Sequence, residues 1–148
     1  KDSAGDKNSG AAENSSDASA KNEEIKELMR DLHALGPKNV VITDGPRGAY
    51  AFDGKENWFM PTYPDPKPPY ERTGAGDAFS SGFVSEYIKQ QKLKADSRKL
   101  TAVIIKAIQF ATANASSVVA KVGSKAGILK KGDWGPWPLV EVKYVSSS

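Results

Sequence analysis

RTGAGDAFSSGF, residues 72–83, is the stretch on which the fold of this chain turns. Thr73-Gly74-Ala75-Gly76-Asp77-Ala78 sets three side-chain-poor residues and then a carboxylate just where Phe79, Phe83 and Tyr87, flanked by Val84 and Ile88, recur at helical spacing. The spacing predicts a helix running to about Gln91. Small residues let backbone approach a ligand closely, and the free N–H groups of a first helical turn carry about half a positive charge from the macrodipole. That makes an anion site suited to phosphate. The same field keeps Asp77 ionised. Phosphoryl transfer needs both parts, donors where charge develops and a base for the proton of the attacking hydroxyl. Taken alone, the motif also reads as a tight glycine turn in which Asp77 only favours the helix start.

Upstream, Ile25, Leu28, Met29, Leu32 and Leu35 recur at helical spacing, Asn22 is a candidate cap, and Gly36-Pro37 is a stop signal. His33 falls off this stripe and reads as a solvated surface residue. Val40-Val41-Ile42 is a continuous β-branched run, the pattern of a strand buried on both faces of a parallel sheet. It ends in Thr43-Asp44-Gly45-Pro46-Arg47-Gly48, a hydroxyl and two glycines at the carboxyl end of a strand, where open α/β sheets bind ligands. Ala49–Phe52 and Asn57–Met60 read as a hairpin across Asp53-Gly54. The proline-dense PTYPDPKPPY, residues 61–70, reads as an extended surface connector.

Downstream, a second long helix is predicted from Asp96 or Ser97 toward Gly123, carrying Leu100, Val103, Ile104, Ala107, Ile108 and Ala111 on its apolar side. Asn114 interrupts a run of alanines on it, and a solvent-facing position is the plain reading. The tail holds Trp134, Trp137 and a candidate strand at Leu139–Val142. Residues 1–21 contain no aliphatic side chain larger than alanine and read as a disordered tail or insertion, leaving 22–148 as the folded unit.

The bulk properties narrow the class. With 148 residues, one compact domain is expected. The sequence shows no apolar run approaching bilayer-crossing length, so no membrane role is expected. The 21 basic and 18 acidic residues are spread evenly, which argues against a nucleic-acid partner despite a pI near 9.0. The absence of cysteine excludes disulfides, thiolate metal sites and cysteine nucleophiles, and fits a reducing, cytoplasmic setting. One histidine cannot build a multi-histidine metal site. Residues 1–20 lack the apolar core of a secretory leader. The chain starts at Lys1 rather than Met, the expectation for a fragment.

Taken in order, TDGPRGAY (43–50), RTGAGDAFSSGF (72–83), ANASSVV (113–119) and VGSKAGIL (122–129) resemble the carboxy-terminal half of the ribokinase-like family of carbohydrate and nucleoside kinases. The resemblance implies an α/β fold, the carboxy-terminal part of a three-layer α/β/α sandwich. It implies transfer of the ATP γ-phosphate to a hydroxyl of a sugar, sugar phosphate or nucleoside, with Asp77 as base and the backbone of Gly74, Ala75 and Gly76 as anion hole. Thr43, Gly45 and Gly48 match the turn that meets the nucleotide phosphates, and Asn114 matches an asparagine near the adenine. ATP with Mg2+ as its counterion would be the cofactors, a small-molecule sugar or nucleoside the partner, and a homodimer is left open as an assembly. The alternative is a catalytically inactive nucleotide-binding or regulatory module.

The sequence departs from the family pattern in three places. Glu71 and Arg72 precede Thr73 where smaller residues are usual. The connector is proline-laden where a strand is usual. The Asn-x-x-Glu element that organises magnesium has no match before Thr43, since in Asn22-Glu23-Glu24-Ile25 the glutamate falls one place short.

Overall fold

A computed structural model describes residues 15–64, 72–93, 100–123, 125–130, 133–137 and 142–144. The elements are α1 (Ser15–Ala34), β1 (Val40–Thr43), a 3-10 turn (Gly45–Arg47), β2 (Ala49–Phe52), β3 (Asn57–Met60), α2 (Ala75–Leu93), α3 (Leu100–Val119) and β4 (Lys143–Tyr144). The strands lie in the order β1-β2-β3-β4, each antiparallel to its neighbour.

Side-chain alternation turns this sheet into the middle of three layers. Tyr50 and Phe52 on β2, with Val40 on β1, face α1 and close a core around Ile25 and Met29. Ala49 and Ala51, with Trp58 and Met60 on β3, face the other way, onto Phe79 of α2 and Ile104, Ile108 and Ala111 of α3. All four residues of β2 are therefore buried, because helices cover both of its faces. The predicted hairpin is present: the Asp53 carboxylate accepts hydrogen bonds from the N–H groups of Lys55 (2.9 Å) and Glu56 (2.8 Å), which sets its turn.

The sheet corrects one expectation. β1 has only an antiparallel partner among the described residues, with Val41 and Ile42 half-buried and Thr43 exposed. The strand buried on both faces is β2. The first helix also begins seven residues earlier than Asn22, so Ser15–Lys21 of the segment assigned to the tail are helical. Ala18 and Ala20 suit a helix interior without any apolar stripe. Asn22 is no cap; its Oδ1 accepts from the Tyr50 hydroxyl at 2.9 Å, across to the sheet.

Leu28 and Leu35 drift off the buried face, 48% and 82% exposed. His33 is not solvated but half-buried, its ring edge-on to Phe52 with centroids 5.3 Å apart, against the hairpin turn at Gly54. On α2 the buried line is Ala78, Phe79, Gly82, Glu86 and Gln90, while Val84 and Ile88 face outward. Glu86 is buried because Gln90 (2.6 Å) and Lys89 (3.1 Å) donate to its carboxylate. The stretch Thr101–Val119 is, by length and hydropathy, apolar enough to cross a membrane, contrary to the composition-based expectation, yet 67% of it is buried as a core helix. Residues 139–141 of the candidate last strand lie outside the described residues, and β4 forms just beyond them.

Two local devices shape what the sheet and helices leave open. Asp44, after β1, accepts from Arg47 Nε (2.7 Å) and Nη2 (2.6 Å) and faces Lys21 Nζ at 3.4 Å, which ties the β1–β2 turn to α1. Asn114 on α3 is buried, not solvent-facing: its Nδ2 donates to the Ala78 carbonyl and its Oδ1 accepts from Leu129 N–H, both at 2.8 Å.

Replacing Asn114 by Ala leaves the Leu129 N–H without its acceptor, so stability should fall by about 1–3 kcal/mol in urea denaturation, with faster exchange of the Leu129 amide. The Arg47 hydrogen bonds hold the Asp44 carboxyl below its ordinary range. The clasp therefore stabilises the fold above the ordinary aspartate pKa of about 3.9 and is lost as pH falls through the lower folded value. Urea midpoints of wild type and Asp44→Asn should differ at neutral pH and converge below about pH 4; a gap that is constant with pH would mean the ion pair contributes nothing.

Candidate functional site

Four separate pieces of sequence meet at one cleft. The β1–β2 turn contributes Thr43, Gly45 and Gly48, the segment after β3 contributes Thr62, the start of α2 contributes Ala75, Gly76 and Phe79, and α3 contributes Thr112, Ala115 and Ser116. These enclose about 120 Å3. A wider lobe of about 240 Å3 shares Gly45, Thr62, Ala75, Ala115 and Ser116 and adds Pro46, Tyr63, Arg72 and Val119. The α3 residues at 112, 115, 116 and 119 follow the i, i+3, i+4, i+7 pattern of a single helix face.

The turn is built by its glycines and held from beneath. Gly48 has φ +128°, and a Cβ there would meet the Met60 carbonyl and lie 2.9 Å from Phe59 Cε2. It must be glycine so that the turn can lie on β3, whatever binds. Thr62 Oγ1 donates to the Pro46 carbonyl at 2.7 Å, which fixes the connector against the same turn. Tyr63 follows, buried against Trp137 with centroids 5.1 Å apart, and burial pushes its phenol above the ordinary value, so it stays neutral.

Gly74 takes φ +86° to turn the chain into α2, the Ala75 N–H donates to the Arg72 carbonyl (3.2 Å), and the Ala78 N–H donates to the Gly74 carbonyl (2.9 Å). The N–H groups of Gly76 and Asp77 belong to the first turn, where helix geometry supplies no acceptor within the helix. A Cβ on Gly76 would meet nothing within 4 Å, and its φ does not require glycine. In a helix, glycine costs about 1 kcal/mol relative to alanine. Neither packing nor backbone conformation requires glycine here, and the position leaves open space beside the N–H groups of the first turn.

Of the residues singled out from sequence, Thr43, Gly45, Gly48, Ala75 and Gly76 line one cleft. Gly74 and Asp77 flank it on the α2 start, and Asp77 is exposed. Asn114 lies beneath, its amide engaged in the fold as described above. Sequence reasoning passed over Thr62, Thr112 and Ser116. The last two sit four residues apart on a predicted helix and were legible as a polar strip; Thr62, among prolines, carries no such signal. Among the described residues no group of three or more His, Asp or Glu side chains is placed to hold a metal ion.

The model of the pfkB family of carbohydrate kinases matches residues 9–131. The chain is 38% identical over 72 residues to a cytidine kinase of Thermococcus kodakarensis, an alignment covering 49% of this chain and 26% of that protein. It is 30% identical over 93 residues to the fructoselysine 6-kinase of Shigella flexneri, covering 63% and 35%. The ribokinase of Giardia lamblia superposes with a TM-score of 0.64 at 24% identity, over 76% of this chain and 35% of that one, a likeness of fold. The chain thus spans between 26% and 35% of the length of these relatives. With the family match running through the turn, the α2 start and the α3 face that build the cleft, the chain belongs to the pfkB family of carbohydrate kinases and has part of the ribokinase-like α/β fold.

Proposed function

We propose that this chain carries the ATP-binding part of a small-molecule kinase, which transfers the γ-phosphoryl group to a hydroxyl of a sugar, sugar phosphate or nucleoside. The observation that carries this reading is Gly76: a helical glycine with open space beside it and first-turn N–H donors, facing the Thr43–Gly48 turn across one cleft. The two surfaces would close on a chain of phosphates from opposite sides. Thr43 and Ser116 add hydroxyls that can donate to phosphate or ribose oxygens, while those of Thr62 and Thr112 donate to the Pro46 and Ile108 carbonyls, and the apolar remainder of the lining excludes water.

Asp77 stands one residue past the lining, exposed at the helix start. An acceptor hydroxyl arriving at the open side can give the Asp77 carboxylate a proton as the oxygen attacks. The anion hole at Gly74–Gly76 would then hold the charge that develops on the phosphoryl oxygens. ATP supplies the phosphoryl group, and magnesium would come with its phosphates as counterion. Because relatives are named as a cytidine kinase and a fructoselysine 6-kinase, nucleosides and sugar derivatives are the acceptors to test first.

In the full-length protein that carries this chain, Asp77→Asn should lower kcat by about 10² to 10⁴ with the KM for ATP nearly unchanged, because the substitution removes the proton acceptor and keeps the helix start. Steady-state kinetics with a nucleoside and sugar panel is the measurement; turnover surviving in Asp77→Asn would remove Asp77 as the base, and absence of turnover in the wild type would favour the inactive-module alternative. Gly76→Val should raise the KM for ATP as well as lower kcat. Its melting temperature should change little, since the added side chain enters space that the protein leaves empty. Gly48→Val should instead destabilise the fold, because there the side chain would meet β3.

A further inference from the structure

The turn that lines both lobes of the cleft is exposed at Gly45, Pro46 and Arg47 and becomes buried at Gly48. Three backbone hydrogen bonds close it on itself: the Asp44 N–H donates to the Gly48 carbonyl at 2.8 Å, the Arg47 N–H to the Asp44 carbonyl at 3.1 Å and the Gly48 N–H to the Gly45 carbonyl at 3.3 Å. Such bonds shape a turn without fixing where its tip lies against the rest of the protein. Pro46 is that tip. A proline has no N–H, so its carbonyl is the one backbone group by which it can be tied, and Thr62 Oγ1 donates to that carbonyl at 2.7 Å.

Thr62 stands on a rigid post. Met60, which ends β3, is fully buried, and Tyr63, directly after Thr62, is buried against Trp137. Pro61 and Pro64 fix the backbone φ angle on either side. Thr62 lines both lobes together with Gly45 and Ala75, so its hydroxyl joins the turn to the connector where the cleft itself lies. The hydrogen bond is exposed to solvent. Without it water can take the Pro46 carbonyl, so the fold loses little while the tip of the turn gains freedom.

We propose, resting on the kinase reading above, that Thr62 is a positioning residue for the nucleotide: through the Pro46 carbonyl it holds the Thr43–Gly48 turn in the place from which that turn meets the phosphates. A ligand that needs the turn in one place binds in proportion to the time the turn spends there, so the latch acts on affinity before any chemistry. The start of α2, which carries Asp77, is held by other bonds, from Ala75 to Arg72, from Ala78 to Gly74 and from Asn114 to Ala78.

The test uses the full-length protein that carries this chain, with Mg2+ and the β,γ-imido analogue of ATP as probe, in wild type, Thr62→Val and Thr62→Ser. Thr62→Val keeps the branched shape and removes the donor. Losing one net hydrogen bond should weaken the analogue about fivefold by calorimetry and raise the KM for ATP by a similar factor, with kcat and the melting temperature nearly unchanged. Thr62→Ser keeps the hydroxyl and should restore most of the affinity. Amide exchange in the nucleotide-free protein separates positioning from direct contact: the Asp44, Arg47 and Gly48 amides should exchange faster in Thr62→Val, whereas a hydroxyl that only touched the ligand would leave them as they were. Unchanged affinity, unchanged exchange of the turn or a large drop in melting temperature in Thr62→Val overturns the proposal while the kinase reading stands, and so does weakened binding that Thr62→Ser fails to restore. A wild type that does not bind the analogue overturns the kinase reading and this proposal with it.

Discussion

The amide of Asn114 is the interaction on which the geometry of the cleft depends. It is buried in α3 and spends one group on the Ala78 carbonyl, at the start of α2, and the other on the Leu129 N–H. A buried amide left unpaired costs about 1–3 kcal/mol, so the arrangement is favourable only when all three segments are in place. Two glycines let the segments come close enough. A Cβ on Gly82 would lie 3.2 Å from Asn114 Nδ2 and 3.3 Å from Ala111 Cα, and a Cβ on Gly127 would lie 2.6 Å from Val118 Cα. The start of α2 is thereby held at a set height above α3, and the cleft is the space that remains.

Glycines in this chain consequently do two different jobs. Gly48, Gly82 and Gly127 are explained by protein atoms that a side chain would strike. Gly76 has no such explanation, and the helix is weaker for it. That contrast separates glycines required by packing from one that faces open space.

Charge is distributed in the same economical way. The cleft lining is almost uncharged, and the ionic groups at its mouth are paired with one another through Asp44. Neutral donors in a largely apolar lining favour an anion without the desolvation cost of several buried lysines or arginines. The chain belongs to the pfkB family of carbohydrate kinases and spans 26% to 35% of the length of the curated relatives it matches.

By itself, the sequence determined the elements and the motif. The period of Ile25 and Met29, the Asp53-Gly54 turn and the run Gly74–Asp77 depend on neighbours within a few residues, so helix, hairpin and helix start were legible locally. Extra helix at Ser15–Lys21 was not, because alanine-rich polar sequence has helix propensity but no apolar period to read. Only the tertiary structure decided that β2 rather than β1 is covered on both faces, that His33 packs on Phe52, and that Asn114 is a buried tie. Those facts depend on partners 15 to 36 residues away in Asn114's case, and no local pattern carries a contact at that separation. The convergence of Thr43, Thr62, Gly76 and Ser116 on one cleft is of the same kind: each residue type was visible, and the packing of α3 against the sheet brought them together.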